Sequence, residues 1–149
     1  MIKLLFVCHG NICRSPMSEF VMKEMVRQRG VEDLFEIASA ATTTEEIGRD
    51  MYPPARRKLN EENIPFTKRQ ARKITRQDYV HYDYIIYMDR ENHWDLDWFY
   101  NKDPEHKIYP LLSDRSVADP WYTDDFDTTF HDVWEGCTLW LDRLLENPS

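Results

Sequence analysis

Glycine is scarce in this chain, with four in 149 residues. The one stretch built like a phosphate loop matches neither the Walker pattern, whose lysine and glycines it lacks, nor the dinucleotide fingerprint. Cysteine is scarce too. Three of them, two only five residues apart, make no disulfide framework and suit a reducing compartment, so the cytoplasm is the expected location. Basic charge is outnumbered: 19 Lys and Arg against 27 Asp and Glu give a formal net charge of -8. That balance argues against general nucleic-acid binding, and an anionic ligand would have to be captured by local groups. No apolar run could span a bilayer, and the one near the start is too short for a signal peptide, so no membrane association is expected. There is no repeat, no low-complexity tract and no shift of composition. Residues 1–149 read as one domain, large enough for a proper core, and a monomer is expected.

What is present gathers in Leu4 to Pro16, L-L-F-V-C-H-G-N-I-C-R-S-P. Leu4, Leu5, Phe6 and Val7 form the short apolar run of a buried strand. Met17, Phe20, Val21 and Met25 recur at helical spacing, with Ser15 placed to cap that helix and Pro16 suited to its first position. A loop between strand and helix aims backbone N–H groups and the positive end of a helix dipole at one point, where an anion belongs. Cys8 sits where those donors and Arg14 favour the thiolate, the nucleophilic form of cysteine. Arg14 offers a planar fork for two oxygens of a tetrahedral oxyanion. Gly10 permits positive φ and close backbone approach; Asn11 tolerates the left-handed region and can brace the loop through its amide. The construction reads as a phosphate cradle with a nucleophile at its floor. A cysteine at a strand end is also an ordinary small core residue.

Further along, Gly30 suits the end of the first helix. Phe35 to Ala40 alternates weakly and reads as a second strand, with Ser39 a small residue near its end. Asp50 to Asn63 carries a helix with Pro53 and Pro54 near its start and Ile64-Pro65 ending it. The basic run Lys68 to Lys73 reads as a solvated face. Tyr84 to Met88 is a third strand, with Asp89 a helix N-cap after it. Trp94, Trp98, Phe99 and Tyr100 read as core or surface cover, and Lys107 to Leu112 as a fourth strand. The last helix places Phe130, Val133, Trp134, Cys137, Trp140, Leu141, Leu144 and Leu145 on one face, with Cys137 in the core. Strands alternating with helices predict an α/β domain with a parallel sheet, whose ligands bind at the carboxyl ends of the strands. Asp119-Pro120-Trp121-Tyr122 would lie there: an acid, a rigid turn and two aromatics suited to an aryl-phosphate ligand. Asp114, Asp124, Asp125 and Asp127 read as surface charge.

V-C-H-G-N-I-C-R-S-P resembles the active-site signature of the low-molecular-weight protein tyrosine phosphatases, and D-P-W-Y resembles their general-acid motif; the likeness runs to the C-terminal helix. It implies a single domain with a four-stranded parallel sheet and helices on both faces, flavodoxin-like, of the phosphotyrosine phosphatase I type. It implies a phosphotyrosine-containing protein or peptide as substrate, phosphate as product, and no metal or cofactor. Cys8 would be the nucleophile, Arg14 the oxyanion holder, Asp119 the general acid and base, and Ser15 the stabiliser of the departing thiolate. His9, Gly10, Asn11, Ile12 and Cys13 would form the cradle wall, with His9 either adding positive charge at its outside or merely filling the loop. Ser39 would join a hydrogen-bond network holding the cradle, and Asp89 would steady the loops on the substrate side. Trp121 and Tyr122 would flank the substrate ring. Two positions depart from the pattern. Glu45 stands where an aromatic wall of the cleft is expected, and Arg69 where many members have a histidine bracing the cradle serine.

Three rivals share the loop. An arsenate reductase of this fold needs a relay of further cysteines, and none lies between Cys13 and Cys137. An arginine-phosphate phosphatase resembles this family with a threonine where Ile12 stands. A non-catalytic phosphate-binding module would be expected to lack Cys8 or Asp119.

Overall fold

The structure is a computed structural model and describes residues 1–146. Four strands, β1 (Ile2–Cys8), β2 (Phe35–Ala41), β3 (Tyr84–Tyr87) and β4 (Ile108–Pro110), form one sheet in the order β2-β1-β3-β4, every pair parallel. The predicted α/β sheet is therefore present, with all four expected strands in it. Strand β1 is central and buried on both faces, which is why its sequence runs apolar rather than alternating. Leu4, Phe6 and Cys8 point into a core built with α1 (Arg14–Gln28), α2 (Pro53–Glu61) and α6 (Phe126–Glu146). Leu5 and Val7 point the other way, into a core with α3 (Arg76–His81) and α4 (Arg90–Phe99). The order places the site: the chain leaves β1 for β2 on one side, then returns to β3 on the other, so a crevice opens beyond the carboxyl end of β1.

Helix termini follow the residue chemistry, with corrections. Gly30 lies just past α1 at φ 69°, the left-handed conformation that ends helices. Pro53 and Pro54 occupy the first turn of α2, where missing N–H groups cost nothing. Ser15, expected as the cap of α1, is instead inside it; the helix begins at Arg14 and its N-cap residue, Cys13, makes no side-chain cap bond. The serine hydroxyl is engaged at the cradle. Helix α3 was not foreseen, although Thr75 and Asp78 form a reciprocal capping box that the sequence spells out as T-x-x-D.

Helix α6 packs on α1; it buries Val133, Cys137, Trp140, Leu141 and Leu144, with Trp140 set against Tyr84 of β3 and Tyr109 of β4. Trp134 departs from its expected place: one position round from Val133, it is 39 % exposed and stacks on Phe130 instead. Gly136 lets α6 approach the end of β4, since a Cβ there would lie 2.5 Å from Leu111 Cγ. Trp94 and Trp98 are exposed on α4. Among the described residues no helix is long and apolar enough to cross a membrane.

Candidate active site

The carboxyl end of β1 delivers Cys8 to the floor of a cleft, and residues 9–13 curl from there to the start of α1. Among the described residues no hydrogen bond takes the backbone N–H of Gly10, Asn11, Ile12 or Cys13. Buried N–H groups without protein partners, gathered at a helix N-terminus, are a receptor for an anion. The loop turns at Asn11, whose φ is 58°. Gly10 does not take a positive φ, contrary to expectation; what it supplies is room, because a Cβ there would lie 3.1 Å from Glu46 Cγ.

Asn11 is fully buried and uses every hydrogen-bonding site of its amide. Its Nδ2 donates to Ser15 Oγ at 2.8 Å and to Ser39 Oγ at 3.0 Å. Its Oδ1 accepts from Arg69 Nη2 and from the backbone N–H of Arg72 at 3.3 Å. Ser39 passes its own proton to Glu19 Oε1 at 2.6 Å. Ser15 Oγ, already an acceptor from Asn11, can send its proton to Cys8 Sγ at 3.0 Å or to Ala40 O at 3.5 Å. The nearer partner is the sulfur. A chain of bonds thus runs from Arg69 through Asn11 and Ser15 to Cys8. Ser39 belongs to the network as the resemblance implied.

The basic run is therefore only partly a solvated face. Lys68 is exposed, but Arg69 turns inward, where burial pulls its pKa below the ordinary arginine value against the opposing pull of Glu19, Asp50 and Cys8. Arg72 grips Asp78 through both terminal nitrogens at 2.9 and 3.2 Å. Both were hidden because the segment is extended along the cradle's back, bonded to it through Ala71 N–H to Arg49 O and Ala41 N–H to Arg72 O, each at 2.7 Å.

Arg14 is 3 % exposed. Its Nη1 donates to Asp89 Oδ2 at 2.8 Å and to Val117 O at 3.1 Å; its Nη2 reaches Asp119 Oδ2 at 3.3 Å. Burial alone would lower its pKa, but the negative charges of Cys8, Asp119 and Asp89 outweigh it and leave the group above the usual arginine value. Each aspartate does two jobs. Asp89 caps α4 in a capping box with Asn92 while holding Arg14, so it is more than the plain N-cap expected. Asp119 accepts from Trp121 N–H at 3.1 Å through Oδ1 and caps the short helix α5 (Pro120–Thr123) while facing Arg14 through Oδ2.

The cleft opens directly to solvent, with a cavity volume of about 180 Å³ at the cradle. Cys8, His9, Gly10, Ile12, Cys13, Arg14, Glu45, Asp119, Trp121 and Tyr122 all line it. Trp121 is held by Tyr52, with ring centroids 5.2 Å apart, while Tyr122 stands free at 85 % exposure. Glu45 does lie at the rim, paired with His9 Nε2 at 2.7 Å. Burial pushes the Cys13 thiol's pKa up, with Cys8 and Asp119 adding to the shift. Cys137 is fully buried in the core, as expected, and all three cysteines are free. Asp114, Asp124, Asp125 and Asp127 are all exposed, as expected; Asp125 also caps α6 through Thr128, and Asp127 pairs with Lys58 Nζ at 2.5 Å, tying α2 to α6. Arg69 and Asp89, to which only the resemblance pointed, complete the surroundings together with Glu46, Glu91 and Tyr52, which the sequence did not single out.

Comparison with known proteins agrees with this geometry. A family model described as low molecular weight phosphotyrosine protein phosphatase matches residues 3–149. The chain is 38% identical over 152 residues to a low molecular weight phosphotyrosine protein phosphatase of Rattus norvegicus, which spans 96% of this chain and 93% of the relative. Its fold matches a solved low molecular weight protein tyrosine phosphatase from Streptococcus pyogenes with a TM-score of 0.90 at 40% identity, over 97% of this chain and 93% of the other. The solved structure of YfkJ from Bacillus subtilis matches with a TM-score of 0.93 at 33% identity, over 98% and 96%.

Proposed function

Since the chain belongs to the low molecular weight phosphotyrosine protein phosphatase family, we propose that it hydrolyses phosphotyrosine in proteins or peptides through a cysteinyl-phosphate intermediate. The phosphoryl group enters the cradle, where the loop N–H groups and the Arg14 fork hold its equatorial oxygens. Cys8 Sγ, as thiolate, attacks phosphorus in line; the P–S bond forms as the bond to the tyrosine oxygen breaks. Asp119, carrying a proton, gives it to that oxygen. A water molecule then attacks the cysteinyl phosphate, Asp119 takes its proton, and Ser15 donates to the sulfur as the P–S bond breaks and phosphate leaves. Nucleophile, positive charge and proton carrier are all side chains of this protein, so the scheme calls for no metal. The three free cysteines suit a reducing cytoplasm, and the same reading has the chain working as a monomer.

The observation that carries this is the 3.0 Å contact of Ser15 Oγ with Cys8 Sγ beneath a ring of unpartnered N–H groups, with Arg14 and Asp119 at the mouth. The test is Asp119→Asn. It is expected to slow phosphotyrosine hydrolysis by roughly 10²–10⁴-fold, the usual contribution of a positioned general acid, and to slow an aryl phosphate with a very acidic phenol far less. Equal losses on both would leave Asp119 as a positioning group only. Phosphoserine and phosphoarginine peptides in the same assay are expected to turn over slowly, since Ile12 presents an apolar wall; preferred hydrolysis of phosphoarginine would overturn the substrate assignment.

A further inference from the structure

We propose that Asp132 of α6, together with Thr129 one turn before it, positions the loop that carries the general acid; this rests on the role given to Asp119 above. Asp132 is buried, and a buried carboxylate must be fully partnered to be tolerated. Its partners are both in the loop: Arg115 Nη2 donates to Oδ1 at 2.9 Å and the Ala118 N–H to Oδ2 at 3.3 Å. Thr129 and Asp132, three apart, lie on one face of the helix, and Thr129 Oγ donates to Ala118 O at 2.9 Å. Ala118 is thus held by α6 at both of its backbone polar groups. The residue before it is held by the active site: Val117 N–H donates to Met88 O at 2.8 Å and Val117 O accepts from Arg14. Two successive residues pinned at both ends leave little freedom in the chain that arrives at Asp119.

Such fixing matters because Asp119 has a competing attraction. Its Oδ2 sits 3.3 Å from Arg14 Nη2, on the charge that the phosphoryl group needs. Proton transfer requires the carboxyl to stay within hydrogen-bond reach of the leaving oxygen when phosphate occupies Arg14. A loop free to follow Arg14 would carry the acid out of line, and a displacement near 1 Å can cost about 100-fold. Asp132 touches neither substrate nor reacting atoms; it acts through Ala118.

Asp132→Asn keeps the shape but cannot accept from both Arg115 and Ala118, and Thr129→Val removes the second tie without charge. Both are assayed in the full chain by kcat/KM, which reads the step that breaks the bond to the leaving group. For phosphotyrosine a fall of roughly 10–100-fold is expected; for an aryl phosphate of a very acidic phenol the rate stays within about threefold, since little proton assistance is needed. Inhibition by inorganic phosphate stays unchanged, because cradle and Arg14 are intact. Equal losses on the two substrates, a weaker hold on phosphate, or no loss at all in both variants would overturn the proposal. Should Asp132→Asn fail to fold, Thr129→Val decides by the same contrast. If Asp119→Asn shows the leaving-group contrast while these variants do not, only the positioning role is refuted. If Asp119→Asn itself lacks it, the acid assignment falls first.

Discussion

Replacing Asn11 by alanine tests whether the cradle is held from behind as described. The change removes four hydrogen bonds: two donated to Ser15 and Ser39, two accepted from Arg69 and Arg72. The serines keep other partners, so each loses about 0.5–1 kcal/mol. Arg69 fares worse. Its Nη1 is already buried without a partner, and losing Asn11 strips the other terminal nitrogen too; a hydrogen bond to a charged group is worth about 1.5–3 kcal/mol. Alanine in the left-handed conformation costs roughly 1 kcal/mol more. With about 0.5–1.5 kcal/mol for the Arg72 N–H, the total is about 4–7.5 kcal/mol, which for a domain near 150 residues lowers Tm by about 8–30 °C. Activity is expected to fall as well at temperatures where the variant is folded, because Ser15 loses the donor that fixes its hydroxyl and can turn to Ala40 O, away from the sulfur. Thermal unfolding followed by circular dichroism, with kcat/KM on a phosphotyrosine peptide, measures both. A Tm drop below about 3 °C with kcat/KM within twofold of the parent would show that the buried amide is not what holds the loop.

Cys8→Ser should abolish turnover yet still bind phosphate or vanadate, because the loop N–H groups and Arg14 remain; residual hydrolysis by the variant would sink the covalent mechanism. Glu45→Trp should lower KM for small aryl phosphates by about 2–12-fold, the worth of an aromatic contact, with kcat little changed. It should also erase a preference, stronger at low salt, for peptides with Lys or Arg beside the phosphotyrosine, and an unchanged profile would mean that Glu45 and its partner His9 do not meet the substrate. Gly136→Ala should destabilise the fold by about 1–3 kcal/mol through overpacking against Leu111 with KM unaffected, so an unchanged Tm would show that β4 and α6 can yield there at no cost.

How much of this was legible in the sequence depends on how far apart the partners lie. The strand, loop and helix of residues 4–25 could be read because every cue is local: an apolar run buried on both sheet faces, a turn residue, an arginine at the helix start. Helix α6 was legible for the same reason, its period of burial being its own. Asp119 could be picked out because a proline and two aromatics follow it directly. Contacts assembled by the fold left no such local mark. Arg69 and Arg72 looked like surface charge because their acceptors, Asn11 and Asp78, are brought to them by an extended segment with no period of its own.

The dual use of capping residues explains the remaining gaps. Ser15 looked like an N-cap because a serine before a helical period usually is one, but here the hydroxyl is claimed by Asn11 and Cys8. Asp89 and Asp119 do cap helices, and each still has one carboxylate oxygen left over for Arg14. A carboxylate has two oxygens and an N-cap uses one, so a helix that begins at the rim of a crevice carries a spare acceptor pointing into it. That is how α4 and α5, which share no sequence feature beyond an aspartate before their first turn, come to clasp the same guanidinium from two sides. A capping aspartate that follows the carboxyl end of a parallel strand is therefore better read as a candidate site residue than as a terminus alone. By that rule Asp89, two residues past the end of β3, is a site candidate from its position in the sheet alone, without the resemblance.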